Sequence, residues 1–223
     1  MDTNAIQRIS GAAAVIGAIF MLVELPLYFV YDGAPPDANI LTRSLFGLIA
    51  LTLLVAFMTG LGQLVKRTAP EYEWIGSIAV AAGLMWLTVA FVSTGLEVGA
   101  VIQSPTDIDP TITVSGTYIL YGTVSRLLEG LFLIAFGLVA TRTRVVPRWA
   151  ARSAYALAVI NFAFVPSLFF GNTPANFYAA NGWGTTATVG GFTMLWLLAI
   201  GITLVRNPSR AATPEEPLTA IHP

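Results

Sequence analysis

Six runs of mainly apolar residues, each about as long as a bilayer is thick, constrain this chain more than any other feature. A helix needs about 20 such residues to cross the hydrocarbon core. The runs fall roughly at 9–31, 42–65, 74–102, 116–139, 149–170 and 185–205. Inside a bilayer no water satisfies the backbone, so such segments fold as helices that bond internally. Charged residues are 10% of the 223, against about 25% in a soluble domain, too few to cover a water-facing surface. The expectation is an all-α fold: a six-helix transmembrane domain over 1–206 and a polar, proline-rich, disordered cytoplasmic tail over 207–223.

Basic residues orient the bundle. Arg8 precedes the first run, Lys66 and Arg67 follow the second, Arg142, Arg144, Arg148 and Arg152 fill the fourth connection, and Arg206 and Arg210 follow the sixth run. The alternate connections hold only Arg43, so both termini are expected in the cytoplasm of a cell whose inner, plasma membrane the chain crosses repeatedly. The first run reads as a helix rather than a cleaved leader. It is long, contains Glu24 and Pro26, and lacks a small-x-small cleavage site before Pro35.

Absences narrow the chemistry. A net charge of −1 gives no basic face for nucleic acid. There is no cysteine, the single histidine is His222 in the tail, and the sole lysine is Lys66 at a helix end. Zinc hydrolysis, haem ligation, Ser-His catalysis and a Schiff base inside the bundle each lose their usual residue. Neither a metal nor an organic cofactor is expected.

What remains is a set of charges inside apolar runs. Arg126 and Glu129 stand three residues apart, on one helix face. Glu24, Glu97 and Arg43 lie near the outer ends of three other runs. At 1.5 Å per residue all five fall within roughly 0–20 Å of the outer surface. Intramembrane charges are costly and face one another, a cavity or the protein interior. A carboxyl left unpaired there favours its protonated form and can act as a general acid or proton carrier. Glu129, Arg126, Glu97 and Glu24 are therefore the candidate catalytic residues. Arg43, Asn161, Tyr121 and Trp86 are candidates for holding a ligand. Each has a plainer reading: Arg43 snorkels to the headgroups, Glu24 and Glu97 touch surface water, Arg126–Glu129 ties helices, Asn161 bonds between helices, and the aromatics pack.

The outer connections differ. The segment 104–110 carries Asp107 and Asp109, read as solvated loop charges with cation binding as the alternative. The segment 171–184 is aromatic and uncharged, suited to the bilayer interface or to a lid. Arg43-Ser-Leu-Phe-Gly47 and Arg126-Leu-Leu-Glu-Gly130 share the pattern Arg-x-Leu-x-Gly, which suggests a duplicated two-helix unit. These two segments, with Arg8-Ile9-Ser10-Gly11 and Pro147-Arg148-Trp149, resemble a broad family of bacterial six-span membrane proteins catalogued as a domain of unknown function. The resemblance implies the fold and no activity.

Three readings of function stay open. The first is an intramembrane pocket that binds or transforms an apolar, isoprenoid- or lipid-like molecule by general-acid chemistry. The second is a proton-coupled small-molecule transporter. The third is a non-catalytic subunit or assembly factor. Beyond the lipid bilayer and a hydrophobic small molecule no partner is indicated, and the oligomeric state is undetermined.

Overall fold

The computed structural model describes residues 2–143 and 146–206. Arg144, Arg210, His222 and the tail over 207–223 lie outside the described residues. Among the described residues six helices are long and apolar enough to cross a membrane: α1 (Thr3–Phe29), α2 (Asp37–Thr68), α3 (Pro70–Gln103), α4 (Thr117–Thr143), α5 (Arg148–Phe170) and α6 (Gly184–Arg206). Large apolar side chains such as Trp74, Ile102, Val159 and Phe169 face outward, as a lipid solvent allows. The chain is thus an all-helical bundle of the multi-pass type.

Packing sets the order of the helices. α1 lies between α2 and α6, α3 lies between α2 and α4, and α5 packs chiefly on α4. Small residues permit the closest approaches. A Cβ on Gly11 would sit 2.8 Å from the Gly201 carbonyl oxygen, and one on Gly201 would sit 2.7 Å from that of Gly11. Gly60 and Gly62 likewise face Ser10 and Val80, so the glycines ending α2 are packing positions. Phe132, Phe136 and Trp196 form an aromatic core between α4 and α6, with Phe136 and Trp196 4.9 Å apart edge to face. The Trp196 indole donates to Ser153 Oγ at 3.0 Å, which ties α5 to α6.

The end at which α1 finishes and α2, α4 and α6 begin, here called the distal end, is irregular. After Glu24, α1 tightens into a 3₁₀ turn over Leu25–Phe29, and α5 does the same over Val165–Phe170. Pro26 and Pro166 stand at these transitions, where each removes a backbone donor. α4 carries a π turn over Leu120–Val124 in which Gly122 leaves helical geometry (φ −84°, ψ −108°). α6 opens with a π turn over Gly184–Thr188. At the opposite end α2, α4 and α6 finish in ordinary helical turns. The distal ends of α1, α4 and α6 are therefore loosened around a common space.

Candidate functional site

That space is a cavity of about 270 Å³. α1 lines it with Glu24, Leu25 and Tyr28, α2 with Gly47 and Leu51, and α3 with Trp86, Ser93 and Glu97. α4 adds Tyr121, Arg126 and Glu129, and α6 adds Gly190, Gly191 and Met194. α5 contributes no lining residue. A second cavity of about 220 Å³ adjoins it, and Tyr28, Asp109 and Thr111 line both.

The polar lining forms two tiers. The deeper tier is closed on itself. Arg126 donates to Glu129 Oε1 at 2.7 Å, and Thr193 of α6 donates to Glu129 Oε2 at 3.0 Å. Both side chains of the ion pair are almost fully buried (4% and 1% exposed). Each carboxylate oxygen thus has a donor, whereas Arg126 Nε and Nη1 have none among the described residues. Gly190 lines the cavity beside this pair, where a Cβ would make ordinary contact 4.0 Å from Arg126 Nη2.

The tier nearer the distal end is open. Glu24 receives a hydrogen bond from Tyr28 at 3.1 Å on Oε1, and its Oε2 rests against Gly47, where a Cβ would come within 2.8 Å. Glu24 Oε2 and Glu97 Oε1 are buried without hydrogen-bond partners among the described residues. Arg43 does not snorkel: it is 2% exposed. Its guanidinium lies 3.9 Å over the Tyr28 ring and lines the second cavity rather than the first. No salt bridge joins Arg43 to a carboxylate among the described residues.

Seven of the eight residues singled out from sequence border these two cavities. Asn161 does not. It sits on α5, fully buried, donating to the Leu157 carbonyl at 3.0 Å, and α5 stands behind α4 from the cavity. Trp86 and Tyr121 are wall residues of the main cavity. Among the described residues no group of three or more His, Cys, Asp or Glu is placed to hold a metal ion.

Two contributions to the site come from segments that the sequence left between a plain and a functional reading. Asp109, taken as a solvated loop charge, lines both cavities. It also caps the one-turn helix Pro110–Thr113, accepting from the Thr111 amide at 3.0 Å and the Thr111 hydroxyl at 2.6 Å. The proline after it was the available signal, since Asp before Pro marks an N-cap. The connection 171–183 covers the cavity instead of lying flat at the interface. Pro174, Asn181 and Trp183 line the space, and Ala179 and Ala180 are buried. The Ala180 carbonyl abuts Gly122 at the break in α4, where any Cβ would collide with it. Asn181, 4% exposed, has neither its amide nitrogen nor its oxygen bonded among the described residues.

No protein-family model, curated protein or solved structure matches this chain.

Proposed function

We propose that the chain is a plasma-membrane protein whose distal cavity binds a small, largely apolar molecule and exchanges a proton with its polar end. One observation carries this reading: a single cavity is walled by Trp86, Leu51, Leu25 and Met194 and also presents the buried, unbonded carboxylate oxygens of Glu97 and Glu24. Pockets for small molecules are mostly apolar with a few polar groups that fix orientation, and a carboxyl in such surroundings can give or take a proton. Arg126, already held by Glu129, would position the ligand through its free Nε and Nη1. Asn181 would close the site from the covering loop.

A proton-coupled transporter is the second reading. The interruptions in α4 and α6 and the two adjoining cavities support it, because broken helices border transport sites.

Mass spectrometry of the detergent-solubilised protein tests the pocket. Wild type is expected to retain a defined small molecule that Gly190→Leu, which fills the space beside Arg126, loses while keeping its melting temperature. Bulk lipid alone in both proteins would remove the reading. Flux driven by a proton gradient in vesicles would favour the transporter.

A further inference from the structure

From the imbalance of charge between the two tiers, we infer that the ligand of the distal cavity is an organic cation, an amine with an apolar body. The inference rests on the pocket proposed above and names the class of molecule it takes.

The deep tier is neutral, because Arg126 and Glu129 cancel in one bonded pair. The distal tier is acidic. Glu24, Glu97 and Asp109 face it, and Arg43 is the basic side chain set against them. That guanidinium lies over the Tyr28 ring, leaves Nε and Nη2 without hydrogen-bond partners among the described residues, and forms no salt bridge with any of the three carboxyls. Glu24 nonetheless lies within electrostatic range of both Arg43 and Glu97, so the charges form one field. Glu97 is the second, independent sign of a ligand. It is 4% exposed, lines the cavity, and leaves Oε1 without a donor. A buried anion of this kind calls for a counter-charge or a proton.

The walls favour a diffuse cation over a metal ion. Tyr28, Tyr121, Phe29 and Trp183 line the same cavity as the acids, and aromatic faces attract ammonium groups that are only weakly hydrated. Arg43 on Tyr28 is the same interaction made by the protein itself. A hard divalent ion would instead require six or more oxygens at close range. When no cation is bound, protons on the carboxyls relieve the excess charge, so cation and proton compete for one site.

Three probes of similar size separate charge from shape: benzyltrimethylammonium, the uncharged neopentylbenzene in which carbon replaces the quaternary nitrogen, and the anion 3-phenylpropanoate. Radiolabelled benzyltrimethylammonium is bound to the full-length protein in detergent by scintillation proximity. The other two serve as competitors and, labelled in turn, as direct ligands. The expected result is at least about tenfold tighter binding of the cation than of either analogue. Glu97→Gln and Glu24→Gln should each weaken it by a similar factor with unchanged melting.

Affinity of wild type for this permanent cation should also fall as the pH is lowered from about 8 toward about 4, as carboxylates gain protons. The groups facing the site are Glu24 and Tyr28 from α1, Arg43 from α2, Glu97 from α3, Asp109 from the linker, and Tyr121, Arg126 and Glu129 from α4. The covering loop and α6 add only neutral side chains, among them Asn181, Trp183 and Thr186. Only carboxyls in that set change charge in the interval.

Equal binding of the neutral isostere, abolished by Gly190→Leu, would overturn the cationic ligand and leave the pocket standing. Preferred binding of 3-phenylpropanoate would also overturn it, in favour of an anion on Arg126. Binding of none of the three would overturn both the ligand class and the pocket.

Discussion

The segments 43–47 and 126–130 share the pattern Arg-x-Leu-x-Gly and build opposite surroundings. In the second, Glu129 stands three residues after the arginine and binds it along the same helix. In the first, Phe46 occupies that place. Arg43 therefore has no carboxylate one turn further along its helix and turns to the Tyr28 ring on α1. The two glycines diverge as well. Gly130 receives the edge of the Phe162 ring from α5, whereas Gly47 receives the Glu24 carboxylate from α1. A pair completed within one helix is a structural tie. Charges gathered from several helices and left partly unbonded remain available to a ligand.

Removing the carboxylate from each segment should separate them most. Glu129→Leu leaves Arg126 buried without a counter-ion, a change that costs about 3–5 kcal/mol. Thermal or denaturant unfolding in detergent should show a loss of that order, and the double variant Arg126→Leu/Glu129→Leu should recover most of it. Glu24→Gln keeps the shape against Gly47 and breaks no ion pair, so it should cost under about 1 kcal/mol. Equal losses for Glu129→Leu and Glu24→Gln would erase the contrast between tie and site.

The glycines supply a second test. A methyl at either position would meet its neighbour at 2.8 Å. Against Gly130 that neighbour is a packed aromatic ring, so Gly130→Ala should destabilise by about 1–3 kcal/mol through overpacking. Against Gly47 it is the far end of a glutamate, which can swing aside. Gly47→Ala should melt close to wild type yet weaken binding of a cationic ligand, because Glu24 is displaced. If Gly47→Ala loses as much stability as Gly130→Ala, the Glu24 carboxylate is as firmly packed as the ring.

The fold was legible because its cause is local. Apolar runs of spanning length define the helices whatever surrounds them, and the six expected spans match those observed to within a few residues, save that α1 begins at Thr3. That Glu24, Glu97, Arg126 and Glu129 lie toward one end of the bundle was legible for the same reason, since depth follows from position along a helix. Which helices face the cavity was not. Asn161 has suitable chemistry and depth, but it lies on α5, and no pattern within α5 tells that this helix stands outside the site. For Asp109 and the loop 171–183 the sequence left two readings open, for a different reason. Their placement depends on tertiary contacts, such as Ala180 against Gly122, that join segments more than fifty residues apart.

The smallest expected effects probe single hydroxyls in the two tiers. Thr193→Val removes the donor to Glu129 Oε2 while keeping side-chain shape. Hydrogen bonds between membrane helices average about 0.6 kcal/mol and reach about 1.7. Thr193 is fully buried and its acceptor belongs to a carboxylate, so its loss should fall near the upper value. Tyr28→Phe removes the donor to Glu24 Oε1 but leaves the ring beneath Arg43. Tyr28 is 39% exposed, so the freed Glu24 oxygen gains other solvation and the stability change should be under about 0.5 kcal/mol. The ligand should report the opposite ranking. Freed of the tyrosine hydroxyl, Glu24 presents a stronger acceptor to a cation, and Tyr28→Phe should bind benzyltrimethylammonium at least as tightly as wild type. Thr193→Val should leave that affinity unchanged, because the ion pair it braces is neutral toward the distal tier. A binding loss in Thr193→Val comparable to that in Glu97→Gln would mean that the two tiers act as one network and that the deep pair is part of the site's charge.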